Sequence, residues 1–151
     1  MLYLLGWIMA DGHVPSSGHG VIITYQINQL KCANKCLQII EDFLSDEKYY
    51  FSKNNTKRIV RKPPRIYRYK NCYRLEIHSR KLHELAKWFG CEPNNKKINC
   101  DIYNNYSNLM PFIIGWLEGD GHQKLNTKYD GHNRNSIEIS TIHKDLLLQC
   151  R

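Results

Sequence analysis

The sequence predicts an α+β protein in which one small unit occurs twice, over residues 1–110 and again over residues 111–151. Three observations predict this fold class. The segment LLGWIMADGH at Leu4–His13 recurs as IIGWLEGDGH at Ile113–His122, 109 positions later. Segments with two-residue apolar alternation follow the first copy, and segments with helical spacing separate them. The repeat distance is too long for a solenoid and fits one small half-domain.

The first element after the motif helix is a predicted strand at Val21–Gln29 (VIITYQINQ), which alternates apolar and polar residues. One face of this strand should be buried, and the other should be open. The buried face is predicted to carry Ile23, Tyr25 and Ile27, and the open face Thr24, Gln26 and Asn28.

A helix is predicted next over Asn34–Leu44, where apolar residues recur at helical spacing. A strand at Tyr49–Lys53 follows, and then a polar, basic loop that runs through a Pro-Pro pair. The segment Tyr73–His78 alternates again and predicts a strand with Leu75 and Ile77 facing inward.

Ser79 is a suitable N-cap for a helix that runs to Phe89 and ends at Gly90. The first unit is therefore predicted as helix, two strands, helix, two strands, helix. The same order restarts in the second unit, with a strand at Ser136–Thr141 and the beginning of a helix at Lys144–Cys150. Because only 30 residues follow the second motif, the second unit is predicted to be incomplete.

The formal net charge of +8 and the pI near 9.2 predict an acidic partner, of which nucleic acid is the commonest. Apolar runs are too short to span a bilayer and the N-terminus lacks a signal-peptide pattern, so we expect an intracellular protein without membrane contact. The six cysteines form no CxxC pair, which favours free thiols over a zinc site or a disulfide framework.

Small residues lie four positions apart in each motif, Gly6 with Ala10 and Gly115 with Gly119. Residues at this spacing share one helical face. Two faces without large side chains allow two helices to approach closely. We therefore predict that the two motif helices pack against each other.

Asp11 and Asp120 stand immediately before the final Gly of each motif. The helix macrodipole disfavours a carboxylate there, and two such ends side by side would repel each other unless a cation intervened. Mg²⁺ suits hard oxygen ligands of this kind. A single Asp-Gly is better explained as a helix end that enters a turn, but its repetition favours a metal site. His13 and His122 could help at the site, but they are better explained as ordinary surface or hydrogen-bonded histidines.

These residues resemble the LAGLIDADG, or dodecapeptide, homing endonucleases, whose motif is matched by LLGWIMADG and IIGWLEGDG. The resemblance implies duplicated αββαββα half-domains with antiparallel, saddle-shaped sheets that lie in the DNA major groove. It also implies a monomer with pseudo-twofold symmetry if both halves are complete. The implied chemistry is metal-dependent hydrolysis of both strands at a long double-stranded DNA target.

The resemblance also implies functional residues at matching positions. The motif's earlier acid is Met9 in the first copy and Glu118 in the second, and this position is not a metal ligand in the family. The implied metal ligands are the two motif carboxylates and the carbonyls beside them, at Asp11, Asp120, Ala10 and Gly119.

Two further positions match catalytic ones in the family. Gln29 matches a Gln that orients water in some members, and the Lys96-Lys97 pair matches a basic position near the scissile phosphate. Gln29 is explained equally well as the end of its strand, and the two lysines as solvated loop charges. The corresponding strand of the second copy offers Ser140, Thr141 or His143 in place of Gln.

The open faces of the strands and the basic loop are the predicted DNA contacts. The base-reading candidates are Thr24, Gln26, Asn28, Arg74 and Glu76. The phosphate-contact candidates lie near Tyr67 and Tyr69 and are Lys57, Arg58, Arg61, Lys62, Arg65, Arg68 and Lys70. A solvated charged loop is the alternative for this cluster.

The leading hypothesis is a site-specific DNA endonuclease encoded by an intron or carried in an intein. The alternative is a LAGLIDADG nucleic-acid-binding module that does not cleave, such as an RNA maturase or a DNA regulator, or an inactive remnant. Retention of both motif acids favours the nuclease, and the incomplete second unit favours the alternative.

Overall fold

The computed structural model describes residues 1–16, 20–45, 49–51, 57–59, 63–93, 96–129 and 132–139, with the backbone alone at 49–51, 57–59, 103 and 122–139. The elements in chain order are α1 (Leu2–Asp11), β1 (Gly12–His13), β2 (Gly20–Gln26), a 3₁₀ turn (Ile27–Gln29), α2 (Leu30–Phe43), β3 (Tyr49–Phe51), β4 (Lys57–Ile59), β5 (Arg65–Tyr69), β6 (Cys72–His78), α3 (Arg80–Phe89), α4 (Asp101–Asn105), α5 (Met110–Asp120), β7 (Gly121–Tyr129) and β8 (His132–Ile139). In the described parts of the chain, no helix is long and apolar enough to cross a membrane.

The main sheet is antiparallel, with the strand order β1-β2-β6-β5. Ile23 pairs with Leu75, and Tyr25 with Tyr73, so the inward side chains of β2 and β6 lie on one face. Ile23, Leu75 and Ile77 are fully buried there, together with residues of α1, α2 and α3. The predicted α+β class and the inward faces of these strands are therefore confirmed.

The strand β2 ends three residues before the predicted boundary. The chain turns at Gln26, whose backbone N–H donates to Oε1 of Gln29 at 2.8 Å, and the 3₁₀ turn leads directly into α2. Ile27 is consequently 48% exposed and does not belong to the buried face. Asn28 likewise lies in the turn and not on the open face of a strand. The assignments of Ile27 and Asn28 to strand faces were wrong, because the alternation of apolar and polar residues in the sequence continues past the residue at which the strand ends.

The pairing of the second hairpin also differs from the prediction. The Tyr49–Phe51 strand pairs with β4 in a separate two-stranded sheet. The second partner of β6, on the side away from β2, is β5, which lies in the segment predicted as a basic loop. In β5, Ile66 lies opposite the buried Leu75, and Lys70 makes the turn to β6 with a φ of 52°. Ile66 is partly buried and packs against the core, and it is the aliphatic residue of this strand.

The helix α3 has both predicted caps. The Ser79 Oγ accepts a hydrogen bond from the Leu82 backbone N–H at 3.2 Å. Gly90 has a φ of 98°, in the left-handed region, and a Cβ there would collide with the carbonyl of Lys97. The cap therefore fixes both the end of α3 and the path of the loop that follows it.

The two motif helices end in the same way. Gly12 after α1 and Gly121 after α5 are both extended, and each begins a strand. Gly12 pairs with Ile23 in the first hairpin, and Gly121 pairs with Ile139 in the hairpin of β7 and β8. The predicted strand at Ser136–Thr141 thus overlaps β8, which begins four residues earlier. The predicted helix at Lys144–Cys150 lies outside the described residues.

Candidate metal and nucleic-acid site

The helices α1 and α5 pack with their backbones in direct contact. A Cβ on Gly6 would collide with the carbonyl of Phe112, and a Cβ on Gly115 with the carbonyl of Tyr3. Near the C-terminal ends, a Cβ on Gly119 would collide with the Cβ of Ala10. The small residues singled out in the sequence therefore lie in this contact, which brings the two helix ends side by side.

Asp11 and Asp120 are the last residues of these helices. Burial, followed by the negative charge of Asp120, raises the pKa of the Asp11 carboxyl above its usual value. The indole Nε1 of Trp116 donates to Oδ2 of Asp120 at 3.1 Å and orients that carboxylate. The structure thus brings the two motif acids close enough to repel each other.

Lys96 reaches the same place from the loop after α3. Its Nζ donates to the carbonyl of Met9 at 2.5 Å and to that of Ala10 at 2.8 Å, and the residue is buried. Burial lowers the pKa of Lys96, while the negative charges of Asp120 and Asp11 act in the opposite direction. Lys96 therefore supplies a positive charge to both carboxylates and to the negative end of the α1 dipole.

Lys97 differs from Lys96 in its surroundings. Its backbone N–H donates to the Gly90 carbonyl at 3.0 Å, and the residue is exposed. Of the two adjacent lysines, only Lys96 is shown in contact with the motif helices.

Gln29 connects the end of β2 to the second motif helix. Its Nε2 donates to the carbonyl of Glu118 at 3.0 Å, one residue before Gly119. Glu118 in turn accepts a hydrogen bond from the hydroxyl of Tyr3, and the Lys35 ammonium lies 3.6 Å from the centre of the Tyr3 ring. Burial and this hydrogen bond raise the pKa of Tyr3.

Sequence reasoning missed Tyr3 and Lys35. A signal was present in the repeat itself, because the position of Tyr3 corresponds to Phe112 and that of Glu118 to Met9. The polar pair on one side of the helix contact therefore has an apolar counterpart on the other side.

The donors gathered at the two helix ends are oxygens. Within the residues that the structure describes, no group of three or more His, Cys, Asp or Glu side chains could hold a metal ion. The candidate site therefore consists of two carboxylates and helix-end carbonyls, which suit Mg²⁺ with retained waters better than zinc. The cysteines within the described segments are free thiols, as expected.

The face of the main sheet that points away from the helices is polar. Thr24 lies opposite Arg74 there, and the Arg74 guanidinium lies 3.8 Å from the centre of the Tyr69 ring. Arg65 donates to Glu76 through Nε at 2.9 Å and through Nη2 at 2.6 Å. Thr24, Gln26, Arg74, Glu76 and Arg65 thus share one face of the sheet, on the side away from the helices.

Other predicted DNA contacts lie elsewhere. Arg68 pairs with Tyr73, on the opposite face of the sheet from Arg74, and is exposed. Lys70 lies in the turn between β5 and β6. The backbone of Lys57 and Arg58 belongs to β4. Five further candidates lie outside the described residues: Arg61, Lys62, Ser140, Thr141 and His143.

The sequence was compared with known protein families and proteins. No protein-family model matches the chain. A replication factor C small subunit of Methanocaldococcus jannaschii is 30% identical over 156 residues, which cover 97% of this chain and 8% of that protein. The chain thus spans a small part of the length of this relative.

Solved structures of homing endonucleases are similar in fold. A mesophilic variant of I-DmoI matches with a TM-score of 0.51 and 20% identity, over 80% of this chain and 61% of that one. An I-DmoI variant in complex with its target DNA and Mn gives 0.50 and 20%, over 80% and 59%. I-WcaI bound to its DNA recognition sequence gives 0.45 and 19%, over 83% and 54%. The chain has the homing-endonuclease fold.

Proposed function

We propose that the chain is a LAGLIDADG homing endonuclease that cleaves both strands of a long DNA target with Mg²⁺. One observation carries this proposal: two packed helices place Asp11 and Asp120 side by side, where each carboxylate faces the charge of the other. The stability of the fold does not explain such an arrangement, because both acids stand at the unfavourable end of a helix dipole. A shared divalent cation does explain it.

The site residues have distinct roles in this proposal. Asp11, Asp120 and the carbonyl of Gly119 would hold the metal, with the carbonyl of Ala10 at the other helix end. A bound Mg²⁺ would supply Lewis-acid stabilisation of the phosphate and an activated water. Lys96 offsets negative charge beside the reacting phosphate.

Gln29 acts as a positioning residue in this scheme. Its hydrogen bonds to Glu118 and Gln26 hold the end of α5 against the sheet. Because the sheet would carry the DNA, this connection sets the height of the metal ligands above the bound strand.

The DNA would lie along the polar face of the main sheet. Thr24, Gln26 and Arg74 would contact bases, while Arg65 would contact phosphates once it leaves Glu76. The net charge of +8 supports a polyanionic partner. We further propose a monomer, since α1 and α5 of a single chain form the central helix pair.

The origin of the gene is also a proposal. The match to 8% of a much longer replication protein supports a nuclease module carried inside a host protein, as in an intein. An intron-encoded enzyme is the alternative.

A module that binds nucleic acid without cleaving it is a second candidate. It is favoured by the Lys96 ammonium, which already occupies the Ala10 carbonyl and gives the Asp11 end an internal counter-ion. Such a module would need no metal.

Cleavage of a library of long DNA duplexes distinguishes these candidates. We expect the chain to cut with Mg²⁺, and Asp11→Asn and Asp120→Asn each to slow cutting on the order of a thousandfold, since metal stabilisation amounts to several kcal/mol. Asp42→Asn on the exposed side of α2 is the matched control and should cut normally. Undiminished cutting by both motif variants would refute the metal site, and metal-independent binding without cutting would establish the second candidate.

A further inference from the structure

The polar face of the main sheet carries an arginine held against an aromatic ring. Arg74 lies on β6, directly opposite Thr24 of β2 on one side and Tyr67 of β5 on the other. Its guanidinium lies 3.8 Å from the centre of the Tyr69 ring, within the range of a cation–π contact. The charged group of Arg74 therefore has a fixed support in the middle of this face.

The hydrogen-bonding groups of this arginine differ from those of its neighbour Arg65. In the described part of the chain, the buried Nε of Arg74 has no hydrogen-bond partner, and no carboxylate forms an ion pair with this side chain. Arg65 instead donates to Oε2 of Glu76 through both Nε and Nη2, and 62% of its side chain is exposed. The other oxygen of Glu76 lies 3.2 Å from Nε2 of His78. Glu76 is therefore already engaged at both oxygens.

We propose that Arg74 reads a guanine in the DNA major groove and that Tyr69 is the positioning residue that orients its guanidinium. This inference rests on the proposed function, because it requires duplex DNA on the polar face of the sheet. Guanine presents two acceptors, O6 and N7, on its major-groove edge, and no other base presents such a pair there. The planar fork of a guanidinium matches that edge with two parallel N–H groups.

Two features favour Arg74 over Arg65 as the residue that reads this base. The contact with Tyr69 orders the Arg74 side chain before DNA binds, so less conformational entropy is lost in the complex. Arg65 must leave Glu76, and its exposed side chain must then be ordered. Arg74 also lies on a central strand, whereas Arg65 lies on β5 at the end of the sheet, closer to where a sugar-phosphate backbone would run.

Selection of bound duplexes from a random library, with the full chain in metal-free buffer, tests this inference. We expect the selected targets to share a guanine at the position that Arg74 reads. Replacement of that guanine by another base should weaken binding roughly 5- to 150-fold, the range for one bidentate contact. Replacement by 7-deazaguanine, which lacks the N7 acceptor but keeps its base pairing, should also weaken binding.

Substitutions on the sheet separate the fork from the charge. Arg74→Lys keeps the positive charge and should lose the preference for guanine at that position, while binding to other sequences and its salt dependence change little. Arg68→Lys is the matched control, because Arg68 is exposed on the opposite face of the neighbouring strand. Tyr69→Leu should reduce the preference for guanine, whereas Tyr69→Phe, which keeps the aromatic ring, should retain it.

The opposite results would overturn the inference. Equal weakening of all sequences in Arg74→Lys would show a phosphate contact instead of a base contact, and an unchanged preference in Tyr69→Leu would remove the positioning role. Indifference of the wild type to 7-deazaguanine at every selected guanine would exclude the contact even if Arg74→Lys does not fold. Duplex binding without any sequence preference would overturn this inference alone, whereas absence of duplex binding would overturn the proposed function with it.

Discussion

Gly115 lies where α5 comes closest to α1, and a Cβ at this position would collide with the backbone carbonyl of Tyr3. Backbone on both sides leaves no flexible side chain to move away, so Gly115→Ala must push the helices apart. Alanine favours a helix over glycine by about 1 kcal/mol, which opposes the effect. Overpacking in a close-packed contact costs about 1–3 kcal/mol and occasionally more. Because the collision is with backbone that cannot move aside, we take the upper end of this range, about 3 kcal/mol, and expect a net loss of about 2 kcal/mol in the free energy of unfolding.

Denaturant unfolding followed by circular dichroism measures this loss. Gly20→Ala is the matched control, because the nearest atoms to a Cβ at Gly20 lie 3.9 Å away. This control should be neutral or stabilised by about 0.5 kcal/mol through the unfolded chain. The thermal midpoint of Gly115→Ala should fall by roughly 4–8 °C. Equal stability of Gly115→Ala and Gly20→Ala would show that α1 and α5 are not in backbone contact at Gly115.

Three further predictions concern the helix ends and the charged surface. Tyr3→Phe should lower the free energy of unfolding by about 1 kcal/mol, because Glu118 loses its hydrogen-bond donor; the same loss in a Glu118→Met background would show that the pair does not interact. The raised pKa of Asp11 means that its stabilising contribution is full below the usual value of 3.8 and is lost as pH rises through the folded-state pKa. Asp11→Asn should therefore be more stable than the wild type at pH 7 in metal-free buffer, with a difference that shrinks toward pH 3.8, and a pH-independent difference in unfolding experiments would contradict this cause. DNA affinity should fall by roughly a thousandfold between about 50 and 200 mM salt if about six phosphates are contacted, and a flat response in a binding titration would exclude the basic surface.

The main sheet shows which features of the fold can be predicted from sequence patterns and which cannot. The inward faces of β2 and β6 could be predicted, because burial on one side imposes two-residue alternation. The partner of β6 could not, since β3 and β5 are both short and the choice depends on which strand packs against Leu75. The face of the sheet on which Arg68 lies follows from this pairing, so it could not be predicted from the sequence either.

The candidate site divides in the same way. The positions of Asp11 and Asp120 could be predicted, because a repeated motif carries its chemistry in local sequence. Two adjacent lysines look alike in the sequence, and only the loop path after Gly90 turns Lys96 inward. The Tyr3–Glu118 pair joins residues 115 positions apart and depends on the packing of α1 against α5.

The sequence by itself therefore determined the ends of the two motif helices, the caps of α3, the small-residue contact and the positions of the two motif acids, whereas α2 begins four residues before its predicted start and α4 was not predicted. Each of these depends on backbone conformation or side-chain size within a few neighbouring residues. The tertiary structure decided the partner of β6, the end of β2 and the ammonium at the Ala10 carbonyl. Those features depend on which distant segments pack together and bury their apolar surface. The choice between such segments is made only when the whole chain folds.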